Sequence, residues 1–162
     1  ALTAHDLRQI FQGHAQSWSE FGGGDLPITI ISREEHAATR LVFESLVMGG
    51  RRTSFNARLA LSAASMVNAV ANQPGAIGYV SMALLDDRVR AVPVAGSADE
   101  TPVLPSPHTV SANTYPLRAP ILMVGNHAPE PDSVYRDWFA WMQSESGQRI
   151  AGQHYGALRA IE

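Results

Sequence analysis

The run Ser32-Arg33-Glu34-Glu35-His36-Ala37-Ala38-Thr39-Arg40 brings together a guanidinium, a hydroxyl and two very small residues. That combination suits the capture of a small oxyanion. The planar fork of Arg33 matches two oxygens of a tetrahedral anion. Thr39 adds a hydroxyl donor, and Ala37 and Ala38 let a ligand come close to the backbone. If a helix starts here, its first N–H groups have no intrahelical partner and lie at the positive end of the helix dipole. Arg33, Ala37, Ala38 and Thr39 would then form one wall of an anion site. The same residue types have commoner uses. An arginine after a strand usually faces solvent or pairs with a carboxylate, here Glu34, Glu35 or Glu44, and a threonine at a helix start is usually a cap. The residues alone leave both readings open.

Such a wall needs a strand to end, and a helix to begin, at the right place. Pro27 to Ile31 is β-branched enough to predict a buried strand, and Val42, Phe43, Leu46 and Val47 share one face of a helix from about Thr39 to Met48, ended by Gly49-Gly50. Upstream, Thr3 with Asp6 resembles a capping box; Leu7, Ile10 and Phe11 fall on one helical face before Gly13. Downstream, Ser62 to Asn72 predicts an alanine-rich helix broken by Gln73-Pro74-Gly75. Further strands are expected at Ala76–Val80, Val89–Val94 and Ile121–Val124, a surface loop over Gly96–Pro107, and one helical turn at Val110–Asn113. Val134, Trp138, Trp141 and Met142 mark an amphipathic helix, and Gly147 to His154 a second one closing at Gly156. Alternating strands and helices predict an α/β fold with a mixed sheet flanked by helices.

Composition narrows the function. A net charge of −3 with no Lys/Arg block argues against nucleic acid or an anionic membrane surface as partner, so local groups must hold any anion. No apolar run approaches the roughly 20 residues of a spanning helix. Ala1 to Ile10 lacks the basic start and apolar middle of a signal peptide, which suggests a soluble chain, mature or cut from something longer. The lack of cysteine does not settle the compartment.

Other candidates are weaker. The six histidines never approach a metal-ligand spacing and no cysteine assists them, so no metal site is expected. Gly75-Ala76-Ile77-Gly78 lacks the third glycine and following helix of a dinucleotide fingerprint, and no G-x-S-x-G elbow or phosphate-binding Gly-rich loop ending in Lys-Ser or Lys-Thr occurs. Glu34-Glu35 and Asp86-Asp87 are adjacent carboxylates of the kind usually solvated, which gives catalysis no anchor. Trp18, Trp138 and Trp141 could stack on a sugar, but aromatics at helical spacing are more often core.

In five places, and in order, the chain resembles the phosphate-binding proteins of ABC importers. Leu2-Thr3 through Ile10-Phe11, Gly13, Trp18 and Gly22-Gly23 is similar to that family's "L-s-x-x-x-l-x-x-I-F-x-G-x-x-x-x-W-x-x-x-G-G". Ser32-Arg33-Glu34 with Thr39 and Phe43 resembles its ligand loop, and Pro74 to Val80 its "P-G-A-I-G-Y-v" strand. Tyr115-Pro116-Leu117 with Pro120 resembles its "Y-P-l-x-r-P" crossover, and Ser146-Gly147-Gln148 with Tyr155-Gly156 its closing segment.

The resemblance implies a periplasmic-binding-protein type II-like lobe, with the N-terminal part of the first lobe missing, so that the chain corresponds to roughly the C-terminal two-thirds of such a protein. Residues 1–115 would be the inserted ligand-binding lobe, and 116–162 the crossover strand and C-terminal helices returning towards the incomplete first lobe. The family's ligand loop reads "R-x-x-x-S-G-T". Arg33 and Thr39 occupy its Arg and Thr places, Ala37 stands where Ser is expected, and Ala38 where Gly is expected. One missing donor to a charged oxygen weakens binding by about 1.5–3 kcal/mol unless water or His36 replaces it.

The implied function is a solute-binding module of an ABC importer that takes a small oxyanion, most simply phosphate. It would need no cofactor, do no chemistry, act outside the cytoplasm in the periplasm or at the extracellular face, and deliver its ligand to an ABC permease. The alternative is a ligand-free interaction or sensory domain of the same fold. Its incomplete lobe, with the helix carrying Trp138, Phe139 and Trp141, would pair with a partner chain or in a homodimer.

Overall fold

The computed structural model describes residues 1–158. The chain opens with β1 (Leu2–Thr3) and α1 (Ala4–Gln12). The Thr3 hydroxyl accepts the Asp6 N–H at 3.1 Å while the Asp6 carboxylate accepts the Thr3 N–H at 2.8 Å, closing the capping box that the sequence predicts. Gly13, at φ 77°, ends the helix in the left-handed conformation. A 3₁₀ turn at Trp18–Phe21 follows. Next comes β2 (Thr29–Arg33), which leads into α2 (Ala38–Phe43); that helix widens into a π-helical segment, Glu44–Met48. The rest of the chain contributes β3 (Arg58–Ala60), α3 (Ala63–Ala71), β4 (Ala76–Ile77), β5 (Val94–Ala95), α4 (Pro107–Ser111), α5 (Val134–Gln143) and α6 (Glu145–Ala151).

β2 is the centre of a three-stranded parallel sheet in the order β3-β2-β4, and β1 pairs with β5, also in parallel. Antiparallel pairing comes from the isolated bridges Ser17 to Pro27 and Val94 to Val103. Successive residues of a strand face opposite sides of a sheet. Accordingly, Ile30 joins a cluster with Leu7, Ile10, Phe11, Phe43, Val47 and Met48, whereas Ile31 packs with Ala60 and Met66 of α3. Helices thus cover both faces of β2, as a buried parallel sheet requires.

Two glycines permit this packing. Gly75 has φ 77°, and a Cβ there would run into the Pro27 carbonyl; its own carbonyl accepts the Trp18 indole N–H at 2.9 Å. Gly78 lies under α3, where a Cβ would collide with the Met66 sulfur.

Several elements differ from the sequence expectation. The helix expected as a single run from Thr39 to Met48 changes from α to π at Glu44. The Val89–Val94 strand shrinks to Val94–Ala95, and the turn placed at Val110–Asn113 is a helix beginning at Pro107, where Pro at the first position and the Ser106 cap favour an earlier start. Ile121–Val124 forms no strand. A strand needs a neighbour for its backbone groups, and among the described residues none pairs with this segment, whose Leu122 and Val124 are 76% and 94% exposed. Trp138 and Trp141 are likewise 44% and 49% exposed rather than core, whereas Trp18 packs against the main cluster.

Candidate functional site

Arg33 is the last residue of β2, and three separate interactions hold it. Its N–H donates to the Tyr79 hydroxyl oxygen at 3.1 Å, and its carbonyl accepts from Arg40 Nη1 at 2.9 Å. Its side chain, 13% exposed, donates from Nε and Nη2 to the two carboxylate oxygens of Glu34, at 2.9 and 2.8 Å. Of the three possible carboxylate partners, the neighbouring Glu34 is the one that takes Arg33, while Glu44 accepts from Arg40 Nε at 2.8 Å one helical turn away. The hydrogen bonds from Arg33, and then that from its own backbone N–H, hold the Glu34 carboxyl below its ordinary value; the same pair raises the Arg33 guanidinium further.

Across the connection from Arg33 lies the start of α2. The helices α1, α3, α4, α5 and α6 are each capped by a threonine or serine hydroxyl that accepts a first-turn N–H, but α2 is capped by Ala37, which has no such group. Ala37 is buried and donates its N–H to the Glu34 carbonyl at 3.1 Å; its own carbonyl takes the Leu41 N–H at 3.1 Å, which begins the helix. Ala38 is exposed and Thr39 half-buried. Among the described residues, the Thr39 hydroxyl has no hydrogen-bond partner, and the first-turn N–H groups of α2 donate to no capping side chain. The β2–α2 connection therefore carries all four residues that the sequence singles out: Arg33 engaged with Glu34, and Ala37, Ala38 and Thr39 at the uncapped helix start. His36, considered as a replacement donor, is exposed.

Two further residues, to which the sequence assigns no role, act on this connection. Tyr79 lies across from Ser32 by continuation of the β2–β4 register, Ile30 with Ile77, and the Tyr79 and Ser32 hydroxyls are 2.8 Å apart. Arg40 clamps the Arg33 carbonyl from α2. Two shallow depressions elsewhere, one beside Gln12, Arg52 and Asn56 and one between Leu41, Leu46 and Pro120, contain none of the four site residues.

A strand end, a short loop and a helix start, with an arginine at one side and small residues at the other, occur here in a chain whose residues 1–146 match the PBP superfamily domain. The chain belongs to that superfamily. It is 30% identical over 119 residues to the phosphate-binding protein PstS of Bacillus subtilis (strain 168), a match covering 73% of this chain and 37% of that protein. The PstS of Borreliella burgdorferi is 23% identical over 156 residues, which cover 92% of this chain and 55% of the relative. A Clostridium perfringens protein assigned as a phosphate ABC transporter substrate-binding protein, solved with bound phosphate, superposes with TM-score 0.81 at 28% identity, over 97% of this chain and 63% of that one. An ABC-type phosphate transport receptor from Vibrio cholerae superposes with TM-score 0.73 at 26% identity, over 98% and 63%. The α/β architecture is thus that of the phosphate-binding proteins of ABC transporters, periplasmic-binding-protein type II. The chain spans between about a third and two-thirds of the length of these relatives.

Proposed function

We propose that this PBP-superfamily chain binds a small tetrahedral oxyanion, most simply phosphate, as the ligand-binding part of a substrate-binding protein of an ABC importer. One observation carries the reading: Arg33 and the uncapped start of α2, with Ala38 and Thr39, flank one strand–helix connection in a chain whose relatives are phosphate-binding proteins. The guanidinium supplies charge and a planar fork, and the Thr39 hydroxyl and first-turn N–H groups supply neutral donors. The function is capture rather than catalysis. Transfer to an ABC permease, and a place in the periplasm or at the extracellular face, belong to the same proposal.

Residues 1–115 act as the binding lobe and 116–162 as the crossover and returning helices. In support, the main core gathers residues from Leu2 to Val94, with Tyr115 and Leu117 as its last partly buried contributors. Ala37 leaves the site one hydroxyl short of the family's ligand loop, so the affinity of this chain is lower than that of a site with serine there.

Calorimetric titration with phosphate, alongside sulfate and tungstate, tests the reading. Saturable binding by the chain, abolished in Arg33→Ala, is the expected result. No heat and no thermal shift at millimolar anion would overturn it. A second reading, an interaction or sensory domain that pairs with itself or another chain, draws on the exposed apolar side chains of Val134, Tyr135, Trp138 and Trp141 on α5 and on the engagement of the Arg33 fork by Glu34. Light scattering distinguishes it, because obligatory self-pairing gives twice the monomer mass at micromolar concentration.

A further inference from the structure

We infer that Tyr79 is a positioning residue for the anion site, setting Arg33 against α2 without touching the ligand; this rests on the binding reading above. The Tyr79 hydroxyl accepts the Arg33 N–H at 3.1 Å and shares a hydrogen bond of 2.8 Å with the buried Ser32 hydroxyl. Its ring stacks on Phe43 of α2 with centroids 4.2 Å apart and planes 5° from parallel, and Phe11 of α1 closes the group at 4.5 Å from Phe43 and 5.7 Å from Tyr79.

One side chain thus bonds to the end of the strand that bears the arginine and lies flat on the helix that bears Ala38 and Thr39. The two attachments use different parts of it. The ring supplies packing, and the hydroxyl fixes the last peptide of β2. Arg40 completes the arrangement by holding the Arg33 carbonyl at 2.9 Å, so both backbone polar groups of Arg33 are anchored by side chains. A fixed peptide fixes the point from which the Arg33 side chain is launched, which narrows where its fork can reach. This matters most where a ligand must be met by groups from two separate elements, because a small misplacement of one of them removes the benefit of the other.

The division between ring and hydroxyl makes the role testable. Tyr79→Phe keeps the stack and removes the anchor, and Ser32→Ala removes the neighbouring hydroxyl while leaving the Tyr79–Arg33 bond. In the full 162-residue chain, amide hydrogen exchange and phosphate titration are followed together. In Tyr79→Phe the Arg33 amide should exchange about tenfold faster while the Ile30 and Ile31 amides keep their protection, and phosphate should bind about tenfold more weakly, the loss of one hydrogen bond to a covered donor. Ser32→Ala should produce less than half of either effect. Unchanged Arg33 exchange in Tyr79→Phe would overturn the inference, as would faster exchange along all of β2, which would mark ordinary destabilisation. If the unsubstituted chain binds no phosphate, the binding reading fails by itself, and Arg33 exchange alone decides whether Tyr79 holds that peptide.

Discussion

α1 and α5 are alike as sequences and opposite as structures. Each begins at a hydroxyl cap and carries apolar residues at helical spacing. In α1, Leu7, Ile10 and Phe11 are 5%, 0% and 1% exposed; in α5, Val134 and Tyr135 are 85% and 68% exposed. The same contrast runs through the chain. Both buried clusters lie before Leu117 and include Ile30 and Ile31 of β2, although Phe55 and Leu61 there are 92% and 75% exposed, whereas from Arg118 to Leu158 Gly147 is the one buried residue among those described. Helical periodicity identifies a face, but what covers that face is decided by the rest of the fold. The site lies wholly on the covered side of this division.

Removing core mass from each helix should expose the difference most strongly. Phe11→Ala should cost about 3–5 kcal/mol, as buried phenylalanines do, and Trp138→Ala less than about 1 kcal/mol, both read from denaturant unfolding. A large cost for Trp138→Ala would show that α5 is covered in solution and would break the contrast.

Next in size is Gly78→Ala. Its Cβ would meet the Met66 sulfur, the flexible end of a side chain, so an overpacking cost of about 1–3 kcal/mol is expected in the midpoint of thermal unfolding. An unchanged midpoint would mean that α3 has room to retreat from β2.

A smaller effect is expected at the site. Under the proposed phosphate-binding function, Glu34→Gln removes the charge that engages the Arg33 fork, and phosphate is expected to bind about twofold to fivefold more tightly, the range of an exposed ion pair. Weaker binding would instead mean that Glu34 holds Arg33 in its binding rotamer.

The smallest effect concerns acid. Glu34 sits below its ordinary value of 4.5 in the folded chain, so its contribution to stability is complete above that value and is lost as pH falls through the lower, folded-state value. Melting temperatures of Glu34→Gln should therefore decline less steeply below about pH 4.5 than those of the unsubstituted chain. Parallel slopes would remove the ion pair from the list of forces acting on the covered side.

What the sequence could reveal followed from how local each signal is. The Thr3–Asp6 box and Gly13 fix α1 with contacts only a few residues apart, and they are readable for that reason. The passage from β2 to α2 is equally local, so Arg33, Ala37, Ala38 and Thr39 could be placed on one connection. Which carboxylate takes Arg33 depends on rotamers, and the sequence left Glu34, Glu35 and Glu44 open. Tyr79 escaped as a site residue because its bond to Arg33 spans 46 positions and depends on strand register. The Ile121–Val124 strand failed for the converse reason: its composition is right, but a strand is a property of two segments.

The placement of the three tryptophans makes that division observable by light. Trp18 packs against the core with its indole N–H on the Gly75 carbonyl, while Trp138 and Trp141 stand on the uncovered helix. Acrylamide should therefore quench two populations unequally. Any partner that settles on α5 would shift the emission of the accessible pair to the blue and slow its quenching, leaving the Trp18 component as an internal reference.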